Sequence, residues 1–305
     1  MSPGQVRIGI SGWRYEPWRG VFYPGDLPQR RELAFASRAL HSIELNGSFY
    51  ALQKPGSYAQ WHDDTPDDFV FSVKAPKYIT HVRRLREVEE PIANFFASGV
   101  LALKDKLGPI LWQFPPSFTF DAGLFEAFLR QLPHDTETAS RVARHRSDFM
   151  KGRDLLDTDA RRPVRHAVEI RHKSFEDPAF AALLREHKVA LVVADTAGKW
   201  PFIEEVCADF MYLRLHGDEV LYASGYSDEA LARWARRITA WREGHQPGDA
   251  ATLTDHAPKA SPRDVYCYFD NDIKVKAPFD AAKLMRLLGQ HDTLTVDGHF
   301  EVRLP

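Results

Sequence analysis

The chain has 305 residues, of which 44% are hydrophobic and 27% are charged. These proportions are ordinary for a folded globular protein and exclude a disordered, fibrous or coiled-coil chain. Forty basic and forty-two acidic side chains give a net charge of −2, which excludes a strong overall field that would steer the protein to nucleic acid or to an anionic membrane. Two cysteines cannot build a disulfide framework, and no apolar run approaches 18 residues. The first seven residues lack the cationic-then-apolar order of a signal peptide, so we expect none. We therefore expect a cytoplasmic protein with no membrane partner.

Eight short segments rich in Val, Ile, Phe and Tyr are typical of β-strands. They are Val6–Ser11, Ser42–Asn46, Phe69–Ala75, Pro109–Phe114, His166–Arg171, Ala190–Asp195, Phe210–Gly217 and Asp264–Asp270. Patterns typical of helices lie between them, at 28–40, 91–107, 124–132, 177–187, 231–241 and 281–288, and are weaker after strands two and six. Strands that alternate with helices pair in parallel, so we expect a single α/β domain over residues 1–305, a (β/α)8 TIM barrel. A doubly wound open sheet is the alternative, but its glycine-rich dinucleotide fingerprint is missing after the first strand.

Two intervals between predicted strands are long. Residues 134–165 form an insertion before the fifth strand, and its stretch from Arg141 to Arg165 holds eight basic and four acidic side chains. We expect a basic segment that could close over the barrel as a lid. Residues 244–263 are rich in glycine and proline and predict a loop.

Polar and apolar side chains alternate along several predicted strands, and residues two apart share a face. In a barrel the apolar face packs on the helices, so we expect the polar face to point into the lumen near the carboxyl ends of the strands, where active sites of such barrels lie. The side chains expected there are Glu44, Asn46, Lys74, Gln113, Glu169, Arg171, Asp195, Arg214 and His216. Two interpretations are open: a closed ionic network that fixes the strand register, or a ligand site.

Short motifs stand near the predicted strands. They are GISGWRY from residue 9, WRGVFYP from 18, IELNGSFY from 43, FSVKA from 71, ITH from 79, GPILWQFPP from 108, RHAVEIRH from 165, YLRLHG from 212 and YFDND from 268. In this order the chain resembles the DUF72 family of uncharacterised barrel proteins, from about Val6 to Leu288. The resemblance implies a TIM-barrel fold and no established activity. The chain departs from the family's last motif, where two asparagines usually follow the phenylalanine, because here Asp270 precedes Asn271.

The polar set indicates chemistry on an anion. A guanidinium favours the ionised form of a neighbouring carboxylate, and lysine and arginine together suit a phosphate or carboxylate ligand. We expect a hydrolase or lyase that acts on a small anionic polar compound such as a phosphorylated one, with Glu44 or Glu169 as base and His216 as acid. The expected ligand-binding residues are Trp13, Asn46, Tyr50, Lys74, His81, Gln113, Arg171, Asp195, Arg214 and Asn271.

Other functions stay open at this stage. The side chains that could bind a divalent metal, as in barrel endonucleases and sugar isomerases, are Glu44, His81, Glu169, His172, Asp195 and His216. No ligand motif such as HExxH is present and the neighbouring cations oppose a metal ion, so we expect no cofactor. The basic insertion, the run Arg83–Arg86 and the aromatic loops leave nucleic-acid binding, or metal-dependent phosphodiester processing, as an alternative. A non-catalytic binding protein and a glycosidase are further alternatives.

Overall fold

Eight parallel strands close into a barrel in chain order, and β1 pairs with both β2 and β8. The computed structural model describes residues 2–255 and 258–305. The strands are β1 Val6–Ser11, β2 Ser42–Leu45, β3 Val70–Lys74, β4 Leu107–Gln113, β5 His166–Glu169, β6 Ala190–Asp195, β7 Phe210–Leu215 and β8 Asp264–Phe269. The predicted (β/α)8 barrel is confirmed, because each strand lies where its alternating apolar pattern predicts it.

The described residues contain nine α-helices. They are α1 Glu32–Ala39, α2 Gly47–Tyr50, α3 Pro55–Asp63, α4 Glu89–Ala97, α5 Ala122–Leu129, α6 Thr136–Ala143, α7 Pro178–Glu186, α8 Asp228–Arg242 and α9 Ala277–Leu287. Helix α7 lies within the helical pattern predicted over 177–187, and at its start the Asp177 carboxylate accepts a hydrogen bond from the backbone N–H of Ala179 at 2.8 Å. None of the helices in the described ranges is both long and apolar enough to cross a membrane.

Three predicted helical regions differ from the structure. The helix predicted over 91–107 is divided, because Gly99 takes a left-handed φ of +108° between α4 and a 3-10 segment at Val100–Lys106. The weak pattern after the second strand forms two helices, α2 and α3. The weak pattern after the sixth strand forms none, since residues 196–209 contain no helix. The predicted loop over 244–263 has no helix or strand in its described part, and residues 256 and 257 lie outside the described residues.

The chain divides into two compact units, Met1–Glu44 together with Ala190–Pro305, and Leu45–Val189. In the first unit α8 and α9 pack against β8, and α9 also packs against β1. In the second unit the core is aromatic, and Phe125 lies within 6 Å of the rings of Phe114, Phe175 and Phe180. The single domain expected over residues 1–305 stays a prediction beside this division.

Candidate functional site

Arg214 of β7 lies at the centre of a buried network in the first unit. Its Nε donates to Oε2 of Glu44 at 3.0 Å, and its Nη2 donates to Oε1 of Glu44 at 2.9 Å and to Oδ2 of Asp270 at 2.8 Å. Glu44 also accepts hydrogen bonds from Ser11 Oγ at 2.7 Å and from the Tyr212 hydroxyl at 2.6 Å. Each carboxylate oxygen of Glu44 therefore accepts two hydrogen bonds. This saturation suits Glu44 to holding Arg214 in place rather than to exchanging a proton.

His216 follows Arg214 on the same face of the strand, as the alternation predicted. Its Nδ1 lies 3.0 Å from Oδ2 of Asp270, and its Nε2 lies 3.4 Å from Nη1 of Arg214. A guanidinium can only donate, so Nε2 is the acceptor and the hydrogen bond network assigns the ring proton to Nδ1. His216 therefore stands between a cation and a carboxylate, and its buried Nδ1 lies close to Asp270 without the geometry of a hydrogen bond. The ring is fully buried, with the edge of the Tyr222 ring packed against it at 5.2 Å.

Two further groups of this network were missed by the sequence analysis. Burial, followed by the negative charge of Asp270, raises the pKa of Asp272 well above its usual range. Burial and the charges of Asp272 and Asp270 likewise raise the pKa of Tyr15, whose hydroxyl donates to the carbonyl of Ser11 at 2.5 Å. Burial and a neighbouring carboxylate both favour the protonated form of an acid, so the position beside Asp270 favours the protonated form of Asp272. The sequence carried one signal for the pair, the aspartate at position 270 where the family has asparagine.

We refer to this group as the carboxylate cluster. Its members are Tyr15, Glu44, Arg214, His216, Asp270 and Asp272. Three carboxyl groups and one guanidinium give it an acidic balance, which favours a proton-holding network over an anion site.

A second polar group lies in the second unit and has the opposite balance. Arg171 follows β5, and its Nε donates to Oε1 of Glu169 at 2.8 Å. The Glu169 side chain is fully buried, whereas 12% of the Arg171 side chain is exposed. Lys74 ends β3 and is buried, and Lys77 follows it at an exposed position. We call Lys74, Lys77, His81, Glu169 and Arg171 the cationic cluster, because three cations stand there against one carboxylate.

His81 reports the positive potential of the cationic cluster. Burial, followed by the charges of Lys74, Arg171 and Lys77, lowers the pKa of His81 to about 4, while Glu169 opposes the shift. The imidazole is half-buried, and its Nδ1 lies 2.8 Å from the Thr80 hydroxyl. His81 is therefore a neutral imidazole at pH 7 that stands among cations.

Phe49 joins two members of the cationic cluster. The Nζ atom of Lys74 lies 4.4 Å from the centre of the Phe49 ring, within cation–π distance. The His81 ring meets the same phenylalanine edge to face, with 5.1 Å between the ring centres. The carbonyl of Lys74 accepts a hydrogen bond from Ser48 Oγ at 2.7 Å, which fixes the end of β3 to the start of α2.

Three other predicted ligand-binding residues lie in the second unit. Gln113 ends β4, is buried, and stands in register with Glu169 of β5. Asn46 precedes α2, and its Oδ1 is buried with no hydrogen-bond partner among residues 2–255 and 258–305. Tyr50 ends α2 and is 70% exposed.

The remaining predicted residues lie in the first unit, with partners outside the carboxylate cluster. Oδ2 of Asp195 accepts a hydrogen bond from the Tyr226 hydroxyl at 3.1 Å, and burial raises the pKa of Asp195. Asn271 is fully buried and donates to Oδ2 of Asp280 in α9 at 2.9 Å. Trp13 is buried, and its carbonyl accepts from the Tyr23 hydroxyl at 2.6 Å. These bonds fix loops and the first residues of helices.

The basic insertion before β5 is largely neutralised by its own carboxylates. Ion pairs join Arg144 to Asp157, Arg146 to Asp154, Lys151 to Asp148, Arg162 to Asp159, and Arg161 to Asp135 and Glu137. Asp135 and Glu137 belong to the insertion but precede Arg141. They therefore lie outside the stretch from Arg141 to Arg165 in which the basic and acidic side chains were counted. Exposed pairs of this kind are typical of a solvated surface.

A possible metal-binding arrangement occurs away from both clusters. Within the described part of the chain, ligand atoms of Glu126, Glu186 and His187 lie within 4.8 Å of one another. These residues belong to α5 and to the end of α7, and the sequence analysis did not single them out. Helix ends rich in carboxylates often show such groupings without a metal ion, so the geometry alone assigns no cofactor.

The family comparison covers most of the chain. A family model described as "Protein of unknown function DUF72" matches residues 7–300. Curated relatives include the UPF0759 protein YecE of Escherichia coli strain K12, which is 28% identical over 150 residues, or 49% of this chain and 52% of that protein. The UPF0759 protein YunF of Bacillus subtilis strain 168 is 32% identical over 118 residues, or 37% of this chain and 41% of that protein. The matches therefore span about half the length of these relatives.

Solved structures of similar fold are also DUF72 family proteins. A crystal structure from Thermotoga maritima covers 94% of this chain and 100% of its own, with a TM-score of 0.69 and 24% identity. One from Enterococcus faecalis V583 covers 94% of this chain and 96% of its own, with a TM-score of 0.66 and 17% identity. At these identities the similarity is one of fold.

Proposed function

The chain belongs to the DUF72 family, and from its side-chain geometry we propose that it is an enzyme, a hydrolase or lyase, that acts on a small anionic polar compound such as a phosphorylated molecule. The observation that carries this proposal is the cationic cluster of the second unit. Lys74, Lys77 and Arg171 stand around a neutral, half-buried His81, with Glu169 as the one carboxylate of the cluster. Such a balance favours an anionic ligand.

The cations differ in what they offer that ligand. The bond from Nε of Arg171 to Glu169 fixes the plane of the guanidinium, and a fixed guanidinium plane suits the oxygens of a phosphate or carboxylate. Lys77 is exposed and can meet the ligand as a mobile point charge. Lys74 is buried against Phe49 and supplies a fixed positive charge.

Two groups of the second unit are suited to proton transfer. Glu169 stays our candidate base, held by the guanidinium of Arg171. His81 is a second candidate, because an imidazole that is neutral at pH 7 can accept a proton from water or from a substrate hydroxyl. The expected roles of Glu44 as base and His216 as acid concern the first unit, where both side chains belong to the network around Arg214, and they are not part of this proposal. The anion-binding proposal does not depend on these two assignments.

Binding of inorganic phosphate and of ribose 5-phosphate, measured by calorimetry at pH 7.5, tests the anion site. We expect both to bind, and we expect Arg171→Gln to weaken binding about tenfold, the effect of losing one charge-assisted contact. The matched control is Lys54→Gln, an exposed lysine of the same unit outside the cluster. Absence of binding by the native protein, or equal effects of the two substitutions, would contradict the proposal.

Catalysis needs its own measurement, because a binding protein would give the same calorimetric result. A panel of phosphorylated metabolites is screened first by thermal shift, since a ligand that binds only the folded state raises its melting temperature. Compounds that raise it are then incubated with the native protein and with Glu169→Gln and His81→Gln. We expect turnover that at least one of these substitutions lowers by about 100-fold or more while binding persists. Binding without turnover of any stabilising compound would indicate a non-catalytic binding protein.

A further inference from the structure

An exposed aromatic groove lies in the second unit. Four of the nine large hydrophobic side chains that are exposed in the described part of the chain line one cavity of about 550 Å³. They are Tyr50, Tyr78, Val82 and Phe149, with exposed fractions between 49% and 70%. Soluble proteins rarely gather exposed apolar side chains in one place unless something binds there, and the volume is typical of a small-ligand site. We call these four residues and the cavity the aromatic groove.

Cations accompany the rings of the aromatic groove. The Nζ atom of Lys77 lies 5.2 Å from the centre of the Tyr50 ring, and the Arg153 guanidinium lies 5.0 Å from that of Phe149. Arg83 also lines the cavity and forms an ion pair with Glu87. Aromatic faces interleaved with cations are the chemistry that proteins use to stack the bases of nucleotides and to neutralise their phosphates.

The aromatic groove is continuous with the cationic cluster. Phe49 lines the cavity, and its ring contacts both Lys74 and His81 of the cluster. The Tyr50 ring packs against Phe49 edge to face, with 5.1 Å between the centres. Lys77 belongs to the cluster and also lines the cavity. A ligand whose anionic group binds to the cluster therefore extends, past Phe49, onto aromatic side chains.

The cavity also offers polar groups beside the rings. Glu87 and Glu90 are exposed on its wall. Asn94 also lines the cavity, and its Oδ1 accepts a hydrogen bond from the backbone N–H of Ser147, a residue of the insertion, at 2.8 Å. Carboxylate oxygens at the edge of a stacked ring can accept hydrogen bonds from its N–H groups. An aromatic acid without ring N–H groups would contact only the aromatic side chains. A heterocyclic base would stack on those side chains and also donate hydrogen bonds to the carboxylates.

We propose that the aromatic groove binds the heterocyclic base of a nucleoside phosphate whose phosphate group binds to the cationic cluster. This inference rests on the proposed function, because it assigns a substrate class to the same anion site. It also gives the insertion before β5 a part in recognition, since Phe149 is the insertion's contribution to the groove.

Calorimetry with matched probes separates the base from the phosphate. The probes are AMP, UMP, adenosine, ribose 5-phosphate and the oligonucleotide dT10, each titrated into the native protein. We expect AMP or UMP to bind at least about tenfold more tightly than ribose 5-phosphate, the low end of what stacking on aromatic side chains contributes. We expect adenosine to bind more weakly than AMP, because it lacks the phosphate.

Substitutions on the surface test the assignment without altering the core. Tyr78→Ser and Phe149→Ser should each remove most of the advantage of the nucleotide and leave the affinity for ribose 5-phosphate unchanged. Phe202→Ser is the matched control, since Phe202 is an exposed aromatic side chain in the first unit. It should change neither affinity.

The outcomes distinguish this inference from the proposed function. If ribose 5-phosphate binds and neither nucleotide binds more tightly, the aromatic groove is not a base site although the anion site stands. If no phosphorylated probe binds, both proposals fail. Adenosine binding as tightly as AMP would separate the groove from the cluster and overturn the inference. Binding of dT10 far more tightly than AMP, with a steep loss of affinity in salt, would replace the nucleotide with single-stranded nucleic acid.

Discussion

The two polar clusters are built from the same residue types at the carboxyl ends of strands, yet their charge balances are opposite. In the carboxylate cluster three carboxyl groups stand against Arg214, and the guanidinium donates to both Glu44 and Asp270. In the cationic cluster three cations stand against Glu169, and the charges there lower the pKa of His81. In the first cluster, burial and the charge of Asp270 favour the protonated form of Asp272, whereas in the second, burial and the cations favour the neutral form of His81.

This difference shows that two polar residues on one face of a strand do not by themselves reveal whether they form a structural network or a ligand site. Glu169 with Arg171 and Arg214 with His216 look alike as sequence, since each places two polar side chains on one face of a strand. The two arginines differ in burial in the structure. Arg214 is fully buried and bonds to Glu44 and Asp270, which suits it to holding the fold, while the Arg171 side chain is partly exposed, which suits it to a ligand. The two interpretations open in the sequence stay predictions: we expect an ionic network in the first cluster and propose a ligand site in the second.

Removing each guanidinium gives the largest expected effect. Arg214→Met leaves the fully buried Glu44 and the partly buried Asp270 without their cation, so we expect the free energy of unfolding to fall by about 3–5 kcal/mol. Arg171→Met removes the guanidinium that donates to Glu169, and this guanidinium is partly exposed. We therefore expect a smaller fall in the free energy of unfolding, of about 1–3 kcal/mol. Urea unfolding at pH 7 measures both.

The control for these losses is Arg236→Met, which removes an exposed guanidinium from α8 and should change the free energy of unfolding by less than about 0.5 kcal/mol. Equal losses for Arg214→Met and Arg171→Met would contradict the division of the clusters into a structural network and a ligand site. A loss at Arg214 no larger than that of the control would show that the buried carboxyl groups do not need their cation.

Much of the fold was predictable because the barrel strands carry a strong pattern. Apolar residues of β7 alternate with Tyr212, Arg214 and His216, and these three side chains do lie together with Glu44 or Asp270. The division of the helix at Gly99 was not predicted, since a single glycine within a helical pattern is often tolerated. No helix follows β6 over residues 196–209, and the helical pattern in this part of the sequence was already weak.

The site was predictable only in part, because burial and neighbours decide what a polar residue does. Asp272 and Tyr15 gain their raised pKa values from burial and from charges remote in sequence, which no local pattern encodes. Asn271, expected at the ligand, follows Asp270 by one residue and donates to Asp280, a bond that the strand pattern did not predict. Of the four residues of the aromatic groove only Tyr50 was predicted to bind a ligand, because the groove joins α2, the segment after β3 and the insertion, three stretches far apart in the chain.

The raised pKa of Asp272 in the carboxylate cluster predicts that the free energy of unfolding depends on pH. The native protein keeps the Asp272 proton at pH values where the unfolded chain has lost it, so this stabilisation is complete below the unfolded pKa and is lost as pH rises toward the raised native pKa. The variant Asp272→Asn has no carboxyl group at this position, so it lacks this pH-dependent contribution. Relative to wild type, we expect the variant to gain up to about 1.4 kcal/mol per pH unit between pH 5 and pH 8.

Urea unfolding at several pH values measures this gain, and Asp26→Asn is the control, since Asp26 is an exposed aspartate of the same unit. It should leave the pH dependence as it is in the wild type. If the gain in free energy of unfolding for Asp272→Asn does not grow with pH, the Asp272 carboxyl group is ionised in the native protein. The assignment of a raised pKa to Asp272 would then be wrong.

The smallest effect tests the potential in the cationic cluster. Lys77 contributes to the low pKa of His81, so Lys77→Gln should raise that pKa from about 4 by roughly half a unit, as expected for one charge at a solvent-exposed position. An NMR titration of the His81 ring measures the change, with Lys54→Gln as the control that should leave it unmoved. Saturating phosphate should raise the pKa further in the wild type, because a bound anion cancels the cations that hold the imidazole neutral. A His81 pKa that responds to neither Lys77 nor phosphate would place the anion elsewhere, and the contrast between the two clusters would then describe the fold alone.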